Sequence, residues 1–479
     1  MMNDLKSKGV TMKVFGVVLA AVLLASNNSG DRSVYFGGEP GDDEEVMIDE
    51  SPAAGYDRES IDIPALLTAA RGAPPVICSL ASLSVRGWGW GDRSDAPVTP
   101  LGKQITLRDD NGNSRTLSQA DIQLLFNALA SDDACVREIG VRVIGRGNNP
   151  TIASGLIERL SSSSTALREI AALGLGLGEP KEAIDPLIRA LRDPEAGVRA
   201  NSAWALGHIE SGKALDPLMN LFRDNSPTVR EAAVIAVGSL DSIRTASTLI
   251  RVVRDDESPA VRRAAAWALG ELEAREAVEA LSAVLSKDND ARVREMAAWA
   301  LGEIETRSAT TALLTAARRD ADDKVREVAV WALGEIEDAT TIDALGEIAS
   351  SDKNTRVRGT AAWAIGQMDR RGHAPAGLLN LLRDETTDTR LKAAWALGQI
   401  GDSTALPAIR SALKVETNEN VNRALIRALI KSGERSEKTL TELIDSKDPR
   451  VREAAIRGLA GRSSFNPWPW PWPRPRPTP

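Results

Sequence analysis

The chain has 479 residues, 43% of them apolar but only 4% aromatic, and a formal charge of −8. That balance argues against a thick aromatic β core. With Lys and Arg offset locally by Asp and Glu along the array, it also lacks the basic stripe that phosphate contacts need, so nucleic acid is not an expected partner.

At the N-terminus Lys6, Lys8 and Lys13 flank the apolar run VFGVVLAAVLLA, residues 14–25, which polar SNNSG follows. A positive flank, a short apolar stretch and small residues are the plan of a secretory leader, so residues 1–29 are expected to be a signal peptide. The run is too short to span a bilayer comfortably. An uncleaved anchor is the alternative reading. Residues 30–75, with EPGDDEEVMIDE, are expected to form an acidic disordered linker. In 76–117, VICSLASLSV reads as a strand, and KQITLRDDNGNSRTLS reads as two short strands around Asn111-Gly112. This segment is expected to be a small β or irregular cap on the array that follows. Cys78 and Cys135 can pair in an oxidising compartment, stapling this segment to the first repeat, or can stay separate buried thiols. They lack metal or redox spacing.

Helical periodicity occupies 118–462 and repeats itself. VRRAAAWALGELE, VREMAAWALGEIE and VREVAVWALGEIE return in register, with Gly176, Gly207, Gly238, Gly270, Gly302, Gly334, Gly366 and Gly398 spaced 31 or 32 residues apart. Such periods signal stacked two-helix units. An Asp lies six residues before an Arg in consecutive units, including Asp288 and Arg294, Asp320 and Arg326, and Asp352 and Arg358. The Asp suits free N–H groups at the start of the second helix, and the planar Arg suits carbonyls or a carboxylate of an adjacent turn.

These motifs resemble HEAT repeats, the short bacterial type also found in phycobilisome bilin lyases. The resemblance implies an all-α, right-handed α-solenoid of the HEAT and armadillo type, with about eleven two-helix units preceded by the small N-terminal β or irregular segment. First helices would line the convex surface and second helices the concave one. On a helical wheel Val293, Ala297, Ala300, Leu301 and Ile304 gather into one arc, while Trp299 points roughly 145° away. By register Trp204, Trp267, Trp331, Trp363 and Trp395 share its position, with Ile235 in the remaining unit. Four residues on come His208, Glu271, Glu303, Glu335, Gln367 and Gln399 on the same side. Two readings stand: indoles sealing seams between units, or a partly open concave ladder that binds a partner.

No catalytic or metal motif is present, and no cofactor is expected. His208 and His373 are the only histidines, and no nucleophile elbow or phosphate-cradling loop occurs. Deoxyhypusine hydroxylase is similar in its repeats and implies two irons held by His-Glu pairs. The comparable pairs here are Arg230-Glu231, Arg294-Glu295 and Arg326-Glu327, and guanidinium does not ligate iron.

The tail 463–479, with NPWPWPWPRPRPTP, is expected to be a polyproline II rod carrying Trp468, Trp470, Trp472, Arg474 and Arg476. It can tether, contact a membrane interface, or occupy the array's own Trp and Glu surface. The expected function is a non-catalytic protein- or peptide-binding scaffold or sensor component in a bacterial envelope, periplasmic or on the cell surface. Its expected partners are an envelope protease or its own tail. Similar HEAT segments accompany membrane metallopeptidases of the β-lactam-sensor type. The alternatives are a bilin lyase or hydroxylase activity, and glycan binding by the indoles.

Overall fold

A computed structural model describes residues 63–74, 78 and 117–434, except 146, 148, 241 and 369–371, with a few isolated positions beyond. The expected leader, the hairpin at Asn111-Gly112 and the Trp/Pro tail lie outside the described residues. The chain divides into two compact units, Met1–Pro217 and Leu218–Pro479.

Unit 1 holds α1 (Ile63–Ala70), α2 (Gln119–Leu129), α3 (Ala134–Gly145), α4 (Pro150–Arg159), α5 (Thr165–Gly178), α6 (Ile184–Ala190) and α7 (Ala196–Ile209). Helix α8 (Leu215–Asn220) runs across the division. Unit 2 continues with α9 (Pro227–Ser239), α10 (Ala246–Asp255), α11 (Pro259–Glu271), α12 (Val278–Lys287), α13 (Ala291–Glu303), α14 (Thr310–Arg319) and α15 (Asp323–Ile336). It ends with α16 (Ile342–Ser351), α17 (Thr355–Met368), α18 (Ala376–Asn380), α19 (Thr387–Ile400), α20 (Leu406–Leu413) and α21 (Glu419–Lys431). From α2 onward the helices pair in sequence. Within each unit, second helices pack on their first helices and on second helices of adjacent repeats, as α15 does on α14, α13 and α17. This is the all-helical solenoid expected from the period. No described helix is long and apolar enough to cross a membrane.

Helix α1 corrects the expected linker boundary, since residues 63–70 inside the expected disordered arm are helical. IPALLTAA is apolar enough to bury Ile63 and Ala70, and α1 packs on α2 and α3. The pairing left open by the sequence is also decided: Cys78 and Cys135 form a disulfide, with Cα atoms 5.7 Å apart.

First and second helices differ for a packing reason. In α14 the buried residues Thr310, Leu313, Ala316 and Ala317 follow one face, while Thr311, Thr315, Arg318 and Arg319 are exposed. That is the amphipathic pattern of an outer helix. In α13, Val293 and every residue from Met296 to Gly302 are buried, so the helix is enclosed nearly all round.

The second helices stop in an unusual way. Glu179, Glu210, Glu273, Glu305 and Glu337 have φ between 46° and 52°, where Gly401 sits at the equivalent place with φ 70°. A left-handed residue ends a helix well, but a side chain with Cβ is strained there. Glu305→Gly should therefore raise stability by about 0.5–1 kcal/mol. A urea midpoint unchanged or lowered by the substitution would show that this carboxylate contributes more than the strain removes.

Candidate interaction surface

Each second helix turns one line of residues away from its partner: Arg292, Glu295, Trp299 and Glu303 in α13 follow i, i+3, i+7 and i+11. The middle of this line is closed. Trp204, Trp267 and Trp299 are 5% exposed, Trp331 and Trp363 3%, and Trp395 8%.

The glycine ruler explains the closure. A Cβ on Gly302 would lie 2.8 Å from Trp331 Cζ3 and 2.9 Å from Ala332 Cβ. The same slot recurs between Gly270 and Trp299 (2.7 Å), Gly334 and Trp363 (2.7 Å), and Gly366 and Trp395 (2.6 Å). In unit 1 the slot lies between Gly176 and Trp204, and the His208 ring sits tilted against that indole with centroids 4.2 Å apart. Missing side chains on one helix thus make room for the next repeat's indole. The expected open aromatic strip is corrected: Trp204, Trp267, Trp299, Trp331, Trp363 and Trp395 seal seams, because the glycine on the preceding helix leaves a slot that the ring and the small alanine after it fill.

The ends of the line remain open. Glu271 and Glu303 are exposed, while Glu335, Gln367 and Gln399 are half-buried. At the other end Arg292, Lys324 and Arg356 are exposed. Sequence reasoning missed these three cations, although each lies ten positions before its ruler glycine. Opposite rows are separated by about 16 Å of helix rise, and equivalent charges recur about every 10 Å, the spacing of packed helices. Cations in a first turn and carboxylates in a last turn oppose the helix macrodipole, so this polarity does not serve helix stability.

Between the rows Glu295 and Glu327 are half-buried. Burial pushes the Glu295 carboxyl above its ordinary range, against the attraction of Lys324. It does the same to Glu327, against Arg356 and Lys392. In unit 1 burial, then Glu195, pushes Glu169 up. Within unit 2, Arg263 Nη2 approaches Glu231 Oε1 at 3.7 Å.

The Asp and Arg residues form a separate ladder. Arg294 donates Nε and Nη2 to the two carboxylate oxygens of Asp320 in the following unit, each at 2.8 Å, and Nη1 to the carbonyl of Asp288 at 2.9 Å. Arg326 pairs likewise with Asp352, and Arg358 Nε with Asp384. The Asp also accepts an N–H two residues on, as Asp288 does from Asp290. The helix cap proper is the later residue: Asp290 accepts from Arg292 and Val293. Burial raises the Asp288 and Asp320 carboxyls, but the bonds from Arg262 and Arg294, the N–H groups of Asp290 and Asp322 and the nearby guanidinium charges together outweigh it and hold both below the usual range.

These opposed shifts set a pH dependence. The Asp residues lose their stabilising effect as pH falls through their depressed folded-state values, below about pH 4. Glu295 and Glu327 hold protons more tightly folded than unfolded, so their ionisation destabilises the fold as pH rises from about 4.5. Urea midpoints measured from pH 3 to 8 should peak near pH 5. A steady decline from pH 7 to 4 would contradict this assignment.

A family profile for HEAT repeats matches residues 153–238, 184–258, 246–333, 310–376 and 375–460. The chain belongs to the HEAT-repeat family. No curated protein matches it. Among solved structures this HEAT array is similar to importin beta, with a TM-score of 0.55 and 13% identity over 83% of this chain and 64% of that one. That likeness shows the fold alone. Phycocyanin lyase from Nostoc sp. is 25% identical over 51% of this chain and 94% of its own, with a TM-score of 0.32. Human deoxyhypusine hydroxylase is 22% identical over 52% of this chain and 96% of its own, with a TM-score of 0.26. The protein is a HEAT-repeat solenoid scaffold.

Proposed function

We propose that this scaffold binds an extended polypeptide along the open ends of its second helices in unit 2, without catalysis. The carrying observation is the repeated charge polarity: Arg292, Lys324 and Arg356 along one edge, Glu271 and Glu303 along the other, all exposed. A polyproline II strand returns to the same face every three residues, a rise of about 9.3 Å. That matches the repeat spacing of about 10 Å. A segment with Arg or Lys at every third position therefore meets one Glu per repeat.

The indoles no longer supply a stacking platform, so glycan binding and tail docking on the rings lose their basis. Arg474 and Arg476 are two residues apart, which is off this pitch. A binding role is favoured over lyase or hydroxylase chemistry because the open groups repeat at equal intervals, whereas catalysis needs different groups converging on one point. Residence in an oxidising envelope compartment accords with the leader-like N-terminus and the Cys78–Cys135 disulfide.

Fluorescence anisotropy with synthetic proline-rich peptides carrying Arg at every third or every second position tests the pitch. Binding should favour the three-residue spacing at least ten-fold and weaken when Glu271 and Glu303 become Lys. Equal affinity for both spacings would overturn the reading.

A further inference from the structure

We propose that the Cys78–Cys135 disulfide is the latch of an end cap that is held more tightly on the array under oxidising conditions. The cap is α1. It lays Leu66 and Leu67 against a cluster formed by Ala70, Cys78, Ala128, Cys135, Val136 and Ile139. Val136 and Ile139 belong to α3 and Ala128 to α2, the first described helix pair of the array. A repeat at the end of a solenoid has no neighbour on one side and needs a covering with a polar outer surface. Helix α1 covers it: Pro64, Ala65 and Thr68 are exposed, Arg71 just beyond the helix adds an exposed charge, and Ile63 is 2% exposed beneath.

Eight residues do not sustain a helix in water without tertiary support. Two links besides apolar contact hold this one. The Gly72 N–H donates to Asp133 Oδ2 at 2.7 Å, and the disulfide closes a sequence separation of 57. Along the sequence, Ser118 at the start of α2 comes forty-six residues after Gly72, whereas Cys78 comes six residues after it. Shortening a tether roughly eight-fold raises the local concentration of the cap on its seat by roughly twenty-fold.

The latch protects itself. Cys78 is fully buried and Cys135 is 4% exposed, so a reductant reaches sulfur only after α1 lifts. A dithiol then attacks one sulfur, the other departs as thiolate and takes a proton, and the second thiol of the reductant resolves the mixed disulfide. The protein gains two electrons and two protons as two thiols, and the dithiol becomes a disulfide. The cap is thus held less tightly where dithiols are reduced and more tightly where they are oxidised.

Hydrogen exchange of the full chain, read by mass spectrometry, tests this. In Cys78→Ser, and in wild type treated with dithiothreitol, amides of residues 63–72 should exchange roughly twenty-fold faster than in the oxidised protein, with α13 unchanged. Unchanged protection of 63–72, or loss spreading into α13, would overturn the latch. A second variant leaves the sulfurs intact: Leu66→Ala with Leu67→Ala should speed dithiothreitol reduction of the bond severalfold. Reduction at the wild-type rate would show that α1 does not gate it.

Discussion

Trp331→Ala should destabilise unit 2 by about 3–5 kcal/mol, the range for removing a large aromatic from a closed core. The ring is 3% exposed and fills the slot over Gly302. Its Nε1 has no hydrogen-bond partner among the described residues, so volume rather than the polar edge is what the site uses. Trp331→Phe, which keeps most of that volume, should cost clearly less. Gly302→Ala should cost about 1–3 kcal/mol by overpacking the same slot, and less in the Trp331→Phe background, because the smaller ring yields to the new methyl. Chemical denaturation followed by circular dichroism, run as a double-mutant cycle, measures the coupling. Additive costs, or a Trp331→Ala loss below about 1 kcal/mol, would mean the indole is not the seam filler its burial indicates.

Period, helix pairing and the Asp-to-Arg interval were legible because each is a one-dimensional regularity. The destination of Trp299 was not. A helical wheel gives a direction relative to one axis, and 145° from the apolar arc normally means water. In a stack of repeats that direction meets the preceding second helix, and whether it closes depends on Gly270 leaving room there for the ring and for Ala300 beside it. The glycine that marks the period is also half of the contact. The Arg partner was half-readable in the same way. Its six-residue interval points to the carbonyl of Asp288, whereas the carboxylate it grips belongs to Asp320, twenty-six residues on. The cations Arg292, Lys324 and Arg356 are visible in sequence, but a single charge in the first turn of a helix is indistinguishable there from an ordinary solvated residue. Helix α1 was hidden by its neighbours: IPALLTAA directly follows an acidic tract, and only its seat on α3 gives those apolar residues something to bury.

Asp320→Ala should cost about 2–4 kcal/mol, less than Trp331→Ala removes but more than an exposed ion pair supplies. The Arg294 and Asp320 side chains are 15% and 9% exposed. Removing the carboxylate leaves a mostly enclosed guanidinium with only the Asp288 carbonyl, and it also frees the Asp322 N–H that Asp320 had satisfied. The loss should therefore exceed that of Arg294→Met, which removes the charge itself. Putting Leu at 320 into the Arg294→Met background should restore much of the stability, since an apolar pair avoids desolvating two ions. Asp320→Glu should be the mildest change at this position. The array already contains that variant at its far end, where Glu416 takes Nε of Arg390 at 2.6 Å and still accepts N–H groups from Thr417 and Asn418. A longer carboxylate can thus serve both duties of the ladder, the inter-repeat clasp and the turn. If Asp320→Ala and Asp320→Glu prove equally damaging in thermal denaturation, local backbone fit at 320 rather than the clasp is what this position contributes.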